Sequence, residues 1–494
     1  MVYNSTRDKG VAVSSAQAIA QGISKDGGLF VPETIPAFST ADFTAMQSMD
    51  YIGRAAYVLK MFLTDFTQQE LEACVRGAYT GTFDNEMPAP LYRLKDKQYI
   101  LELWHGPTCA FKDLALQLLP YLMTTAAKKV SGGKKIVILV ATSGDTGKAA
   151  LEGFKDVENT EIMVFYPDNG VSAMQKLQMD TQQGKNVFVS AIKGNFDDAQ
   201  SGVKKIFTDP EMAKKLAEKN CEFSSANSIN WGRLVPQIVY YVSAYCDLLN
   251  KGENLTNGFN VVVPTGNFGN ILAAYYAKQM GVPVHRLICA SNANNVLTDF
   301  IKTGMYDRNR DFYTTISPSM DILISSNLER MLYELSGRDD AYVAGLQRQL
   351  AQTGRYTVEG EVLKKLQELF YAGSCDDTQT LKTIREVYEK YRYLSDTHTG
   401  VALSVCEAFL KDTSDTRPVL VASTASPYKF SPAVLQALTG ETVNQDEFAT
   451  VDALHAATGV TVPAPLAKLK GCAPRFNNLC DKTEMAEVVL SYLE

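Results

Sequence analysis

The sequence lacks long apolar runs. None of its runs approaches the roughly 18 consecutive apolar residues that a membrane-spanning helix needs. The first ten residues, MVYNSTRDKG, contain no apolar core of signal-peptide length. We therefore expect a protein without membrane contact and without a secretory signal.

Paired cysteines are also lacking. The nine cysteines are scattered, with no C-x-x-C pair and no cysteine–histidine cluster at the spacing of metal ligands. Unpaired thiols favour a reducing compartment, so we expect a cytoplasmic protein with no metal site. Cys109 is interpreted as structural, because no histidine follows in a recognisable nucleophile context and small buried thiols are common.

An excess of positive charge is the third absence. Lys and Arg number 48 against 55 Asp and Glu, a net charge of −7, which disfavours a general role on nucleic acid. With 494 residues, 46% hydrophobic, the chain is long enough for two or three domains.

The N-terminal part shows helical signals. Thr67 and Glu70 form a capping-box pattern ahead of an apolar stripe, and residues 51–63 carry apolar side chains at helical spacing. We predict a helical N-terminal domain over residues 1–88, which ends at the proline-rich connector 87–90.

Buried strands alternate with helices in the rest of the chain. The run Ile136–Ala141 is too apolar to be half exposed and is followed by a Gly/Ser/Thr turn and a helix. Similar runs occupy residues 162–166, 187–192, 259–263, 287–290 and 418–422. This alternation predicts two open α/β domains, residues 89–250 and 251–494. Residues 299–390 are predicted to form a helical insertion or cover.

Two of the strand-to-helix turns are candidates for anion binding. Residues 266–270, GNFGN, precede a helix near Ile271, where free N–H groups and the helix dipole favour a phosphate. The turn 142–147 suits a carboxylate or a phosphate equally well. Each turn alone is about as consistent with an ordinary βα connection.

A lysine supplies the third candidate feature. Lys112 ends the stretch Ala-Phe-Lys within HGPTCAFKD and precedes an amphipathic run. Burial beside Phe111 would lower its pKa and leave part of the amine neutral. Two anion turns and such a lysine suggest a phosphate-bearing cofactor and an anionic substrate.

Five motifs in this order, with GGLFVP before them, resemble those of threonine synthases: HGPTCAFKD, ATSGDTG, SANSINWGRL, PTGNFGN and STASPYKF. These are pyridoxal 5'-phosphate enzymes of the tryptophan-synthase-β-like fold, fold type II. The resemblance spans about Gly27 to Phe430 and favours the longer class, which has a helical N-terminal extension.

The resemblance implies roles for individual residues. Lys112 would be the catalytic residue that bonds covalently to pyridoxal phosphate, and Thr424 would face the pyridine nitrogen. The remaining cofactor-binding residues would hold its phosphate: Gly266, Asn267, Phe268, Gly269 and Asn270. The substrate's α-carboxylate would bind at Ser143, Gly144, Asp145 and Thr146, and its phosphate at Asn227, Ser228 and Arg233. Many family members have a histidine where this chain has Ser426.

The implied reaction converts O-phospho-L-homoserine and water into L-threonine and phosphate. A phospho-amino-acid lyase that stops at elimination and a hydroxy-amino-acid dehydratase are the alternatives within the fold. A regulatory protein without turnover is the alternative from another class. Relatives of the longer class suggest a monomer, with a dimer as the alternative.

Overall fold

The computed structural model describes residues 1–84, 87–142, 144–169, 171–443 and 446–493. Its first part is a small sheet packed with helices. The elements are β1 (Val2–Ser5), β2 (Asp8–Ser14), α1 (Ser15–Gln21), β3 (Phe30–Pro32), α2 (Thr40–Gln47), α3 (Tyr51–Phe62) and α4 (Gln68–Tyr79). The strand order is β2-β1-β3, and both pairings are antiparallel.

The N-terminal part was predicted to be helical, and it also contains this three-stranded sheet. Helices α3 and α4 lie where they were expected, and the Thr67–Glu70 capping box is present. The sheet was missed because β1 and β3 have only four and three residues, because polar Ser5 is buried with 0% exposure, and because none of the seven residues of β2 is buried. Alternation of apolar and polar residues was too weak to indicate a strand.

The middle of the chain forms the first α/β series. The elements are β4 (Leu91–Lys95), β5 (Gln98–Glu102), α5 (Asp113–Leu116), α6 (Leu119–Val130), β6 (Lys135–Ala141), α7 (Asp145–Phe154), β7 (Thr160–Pro167), α8 (Ala173–Asp180), β8 (Val187–Lys193), α9 (Phe196–Thr208), α10 (Pro210–Glu218), β9 (Cys221–Ser224) and α11 (Trp231–Asn250).

The second series follows. Its elements are β10 (Phe259–Pro264), α12 (Gly269–Gln279), β11 (Val284–Ser291), α13 (Val296–Thr303), β12 (Met305–Asp307), α14 (Leu328–Leu335), α15 (Asp340–Thr353), β13 (Arg355–Thr357), α16 (Gly360–Leu369), β14 (Phe370–Ser374), α17 (Asp377–Tyr391), α18 (Thr397–Thr413), β15 (Val419–Ser423), α19 (Ser431–Thr439), α20 (Glu447–Thr458), α21 (Ala464–Ala467), β16 (Asn478–Asp481) and α22 (Met485–Tyr492).

Two sheets organise these series. One has the order β16-β8-β7-β6-β9 and is parallel throughout. The other has the order β14-β11-β10-β15-β5-β4 and is parallel except for its edge strand β4. In parallel sheets, ligands bind outside the carboxyl ends of the strands. The turns after β6, β10 and β15 lie at such ends.

Neither sheet follows the predicted contiguous division of the chain. Strands β4 and β5 come from the segment 89–250 but pair into the sheet of the second series. Strand β16 comes from the segment 251–494 but pairs with β8 in the first sheet. The domain boundaries at residues 88–89 and 250–251 stay a prediction. The two sheets exchange strands across the boundary at residues 250–251.

The segment 299–390 is more than a helical cover. It contributes β14 to the edge of the six-stranded sheet and the β12–β13 pair, besides the three α-helices α14, α15 and α16 that lie wholly within it. Strand β14 was missed because FYAGS is short and begins immediately after α16 ends at Leu369. Within the described ranges, no helix is long and apolar enough to cross a bilayer. Across the same ranges, no group of three acidic, histidine or cysteine side chains is placed to hold a metal ion.

Helix α7 packs closely on α5 at Gly153. A Cβ atom there would lie 2.0 Å from the carbonyl oxygen of Leu116, so Gly153→Ala forces the two helices apart. We expect the variant to lose about 1–3 kcal/mol of unfolding free energy through overpacking, measured as a lower midpoint of urea unfolding. Gly345→Ala in α15 is the matched control, because its nearest neighbour is an Arg348 guanidinium nitrogen at 3.9 Å. An unchanged midpoint for Gly153→Ala would contradict the close packing.

Candidate active site

Lys112 lies directly before helix α5, with its side chain 11% exposed. Its ammonium nitrogen is 4.9 Å from the centre of the Phe111 ring and 3.7 Å from Oδ2 of Asp145. Burial lowers the pKa of Lys112 to about 8; Asp145 opposes this effect, whereas Lys429 and Arg233 add to it. The amine is therefore partly neutral near physiological pH, as the sequence predicted.

The backbone around Lys112 is held by Asp113. Thr108 donates its N–H and its hydroxyl to the Asp113 carboxylate, at 2.9 and 2.6 Å. Burial raises the pKa of Asp113 to about 6, against these two hydrogen bonds. Gly106 is required beside it, since a Cβ atom there would lie 2.6 Å from the Asp113 side chain. These contacts therefore hold the loop in one conformation.

Thr424 lies in a segment that runs beside this loop. The Phe111 N–H donates to the Thr424 carbonyl at 2.8 Å, Ala110 and Ala425 form an antiparallel bridge, and the Ser426 N–H donates to the Cys109 carbonyl at 3.0 Å. These bonds fix Thr424, itself buried, against the residues that precede Lys112. The Ser426 hydroxyl accepts from the N–H of Tyr428, so it caps the following helical turn.

The turn between β10 and α12 has the geometry of an anion site. Phe268 is in the left-handed region, with φ 61°, and no side chain caps the N-terminus of α12. The first N–H groups of a helix have no partner within it, so they are available to a phosphate. The carbonyl side of the turn is anchored: Ser325 donates to the Gly266 carbonyl at 2.7 Å, and Asn327 donates twice to the Asn267 carbonyl at 3.1 Å.

Asn270, at the start of α12, has one half of its amide engaged. Its oxygen accepts from the hydroxyls of Tyr240 and Tyr241 at 2.8 and 2.5 Å. Its nitrogen is buried and finds no partner among the described residues. Such an unpaired donor is costly in a protein interior, so it indicates a missing acceptor. Gly269, which precedes it, leaves the approach to the helix N-terminus open.

The turn 142–147 was predicted to bind the carboxylate of the substrate, and some of its N–H groups are engaged within the protein. Ser143 lies outside the described residues. The Thr142 hydroxyl accepts from the N–H groups of Gly144 and Gly147, both at 2.9 Å, so these two donors are already used. Gly144 has φ 131°, and a Cβ atom there would lie 2.3 Å from the side chain of Gln175. Thr146, in the first turn of α7, is partly exposed.

The Asp145 carboxylate faces protein cations. Oδ1 lies 2.7 Å from Nζ of Lys429 and accepts from Gln175 at 3.0 Å, and Oδ2 accepts from the Ser319 hydroxyl at 3.2 Å. Although burial raises the pKa of Asp145, the Lys429 and Lys112 ammonium groups hold it well below its usual range. Only its backbone N–H, at the N-terminus of α7, suits a substrate carboxylate.

Arg233, in the first turn of α11, is a buried cation without a carboxylate. One terminal nitrogen donates to the Ala226 carbonyl at 2.7 Å, and Nε is buried without a partner among the described residues. Burial lowers the pKa of Arg233 to about 10. Ser228 is 3.3 Å from the Ser326 hydroxyl, and the Asn227 N–H donates to Ser225 at 3.2 Å. The three predicted residues therefore lie in one segment and the helix it leads into.

Three residues of the site had no predicted role. Lys429 belongs to the quoted motif STASPYKF, which was a signal, but its pairing with Asp145 could not be inferred from spacing. Ser319 comes from the segment predicted as a cover and gave no signal. His398 accepts from the Ser319 N–H at 3.1 Å and contacts Asp396 at 2.8 Å. His105 contacts Glu102 and stacks on Trp104.

Three family descriptions match the chain. Residues 2–79 match "Threonine synthase N terminus", residues 83–424 match "Pyridoxal-phosphate dependent enzyme" and residues 399–489 match "Threonine synthase, C-terminal". Together they span both sheets and the N-terminal part.

Individual relatives agree with these matches. Human "Threonine synthase-like 1" is 41% identical over 441 residues, covering 87% of this chain and 58% of that protein, so this chain spans little more than half its length. Threonine synthase of Pseudomonas aeruginosa is 38% identical over 442 residues, covering 89% of this chain and 91% of that protein. The crystal structure of pyridoxal-phosphate-bound threonine synthase from Brucella melitensis has a TM-score of 0.87 at 37% identity, covering 100% and 98% of the two chains. The predicted fold class and cofactor are thereby confirmed.

Pyridoxal phosphate fits the residues present. The uncapped N-terminus of α12 and the unpaired Asn270 nitrogen suit its phosphate. Lys112, with a partly neutral amine, suits its aldehyde, and buried Thr424 lies beside the lysine loop.

Replacement of Lys112 tests the covalent assignment. After borohydride reduction of the holoprotein, we expect the mass of the cofactor on the peptide that contains Lys112, and we expect it to be absent from Lys112→Ala. Lys176→Ala is the control, because that lysine is half exposed and pairs with Asp168 at 2.8 Å, outside the site. Cofactor attached to another lysine in the wild-type protein would refute the assignment.

Proposed function

Because the chain belongs to the threonine synthase family of pyridoxal-phosphate-dependent enzymes, we propose that it converts O-phospho-L-homoserine and water into L-threonine and phosphate. The observation that carries the proposal is Arg233. A buried guanidinium with an unpaired Nε and no carboxylate partner in the described part of the chain requires an anion for its charge. The phosphate of the substrate supplies it.

Lys112 performs the proton transfers in this proposal. When bound, pyridoxal phosphate withdraws electrons from the substrate and makes its carbon-bound protons acidic. With a pKa of about 8, the Lys112 amine would accept the proton from Cα, pass it on to the bound cofactor, and then, neutral again, accept a proton from Cβ, which it would give to Cγ once the phosphate has left. Asp145 stays ionised throughout, since its own pKa lies well below the usual range, and stabilises Lys112 when it is protonated.

Arg233, Asn227 and Ser228 hold the substrate phosphate as it leaves Cγ. A guanidinium donates two parallel hydrogen bonds to a phosphate, which stabilises the departing charge and fixes its direction. Water then adds at Cβ. Thr424 is consistent with this reaction. Its neutral hydroxyl would face the ring nitrogen of the cofactor and, unlike a carboxylate, would not keep that nitrogen protonated.

The substrate's α-carboxylate is assigned to the N-terminus of α7. The donors in this assignment are the N–H groups of Asp145 and Thr146 and the Thr146 hydroxyl. Ser143 lies outside the described residues. Gly144 contributes its shape, because its N–H is bonded to Thr142. We further propose that the substrate is a small molecule, that the protein is cytoplasmic and that it is a monomer.

A second candidate is a phospho-amino-acid lyase that stops at elimination. The relatives named "Threonine synthase-like 1", at 41–43% identity against 38% for the Pseudomonas synthase, are named for likeness to a synthase and not for an activity, so the addition of water is the step to test. A dehydratase for an unphosphorylated hydroxy amino acid would leave Arg233 without an anion, which disfavours it.

Product analysis separates the two candidates. Holoprotein supplied with O-phospho-L-homoserine is expected to release phosphate and L-threonine in equal amounts, measured by a phosphate assay and by chromatography of the amino acid. Phosphate with 2-oxobutyrate in place of threonine would establish the lyase. Absence of phosphate release would refute both.

Arg233→Lys tests the phosphate assignment. Lysine keeps the charge but loses the paired hydrogen bonds, so kcat/KM for O-phospho-L-homoserine should fall about 10- to 100-fold, the value of one charge-assisted hydrogen bond. Arg286→Lys is the matched control, since the Arg286 guanidinium donates a long bond, 3.5 Å, to the Phe370 carbonyl. If Arg233→Lys keeps the wild-type kcat/KM, Arg233 does not bind the substrate phosphate.

A further inference from the structure

Lys429 is a buried cation close to Lys112. Its side chain has 0% exposure and its ammonium group makes two contacts, with the Asp145 carboxylate at 2.7 Å and with the Thr108 carbonyl at 2.9 Å. It lies in the helical turn after β15, between residues 427 and 430. Burial of a lysine costs free energy unless its charge is paired, so the burial of Lys429 at this place needs a physical reason.

The two contacts connect segments that are distant in the chain. Thr108 belongs to the loop that positions Lys112, and Asp145 begins helix α7 on the other sheet. Oδ1 of Asp145 is closest to Lys429, whereas Oδ2 lies 3.7 Å from Lys112 and accepts from Ser319. The carboxylate is therefore shared between two ammonium groups and is held more tightly by the one that does not bear the chemistry.

Few other charges face this cluster. Arg233 acts on Lys112 from α11, and Asp113 and Cys109 lie near Lys429 on the lysine loop. From α7, Glu152 acts on Asp113 and Lys148 acts on Cys109, and Asp84 also acts on Cys109. Gln175, which donates to Asp145 from α8, and Ser319 are neutral. His398 reaches the cluster only through the backbone N–H of Ser319. The balance at Lys112 thus depends chiefly on Asp145 and Lys429.

We propose that Lys429 is a positioning residue that engages Asp145 and so prevents this carboxylate from closing on Lys112 as a tight ion pair. Without Lys429, Asp145 would have Lys112 as its nearest cation and would hold it protonated. A protonated lysine neither attacks an aldehyde nor accepts a proton from carbon. Lys429 thereby keeps Lys112 reactive without touching cofactor or substrate.

The inference rests on Lys112 as the cofactor-binding residue but not on the identity of the substrate. Its test is the pH dependence of Lys112 acetylation in the full chain after cofactor removal, measured by mass spectrometry of the peptide that contains Lys112. In the wild-type protein the reactivity should reach half its maximum near pH 8. In Lys429→Met the midpoint should rise by about one to two pH units, the effect of an opposite charge a few ångströms away.

A double variant distinguishes this role from a structural one. Lys429→Met alone leaves a buried carboxylate short of a partner and can reduce stability. Lys429→Met with Asp145→Asn removes both charges, and the midpoint should return to the wild-type value or below. The rate at which each full chain captures added pyridoxal 5'-phosphate should follow the same order across pH.

Lys148→Met is the matched control. Lys148 is also a buried lysine paired with a carboxylate, 2.9 Å from Glu152 on the same helix α7, but it is not among the charges that act on Lys112. It should leave the midpoint in place. A Lys429→Met midpoint equal to that of the wild type, or a rise that the double variant does not reverse, would overturn the proposal. Neither result would bear on whether phosphohomoserine is the substrate, which product analysis decides separately.

Discussion

The Asp145 carboxylate, shared between two buried ammonium groups, is the interaction on which the site depends. Its partners come from the lysine loop and from the turn after β15, and Ser319 adds a third segment. An ionised carboxylate is stable in a protein interior only when its charge is matched and its oxygens are hydrogen-bonded. The cluster therefore joins the two sheets at the candidate active site.

A second connection joins the N-terminal part to the same region. Glu329 accepts two hydrogen bonds from the Arg7 guanidinium, at 2.8 and 2.7 Å, and one from Thr6. Arg330 next to it donates to the carbonyls of Phe30 and Ile229 and to Asn327, which in turn donates to the Asn267 carbonyl in the turn after β10. The small N-terminal sheet thus supports the turn after β10 and the segment that leads into α11.

The sequence predicted the parts of the site that depend on local pattern. The strands and turns were found because buried strands are continuously apolar and glycines mark turns, and the motifs resembled a known family. Pairing across the fold was not predictable: Lys429 and Asp145 are far apart in sequence, and only the packed structure turns the Asp145 carboxylate to protein cations. For the same reason the pairing of β5 with β15 was not predicted, and residues 98–102 were not recognised as a strand. Short elements such as β14 and the N-terminal strands carried too few residues for a periodic signal.

The exchange of strands between the two sheets has a consequence for synthesis on the ribosome. Strand β8 gains its outer neighbour β16 only when Asn478 has been made, about 290 residues after Ser190, with which it pairs. At about 5–20 residues per second, this leaves the β8 edge without its partner for roughly 15–60 seconds. An unpaired edge strand is a template for aggregation. The nascent chain therefore has a vulnerable interval that the finished protein does not show.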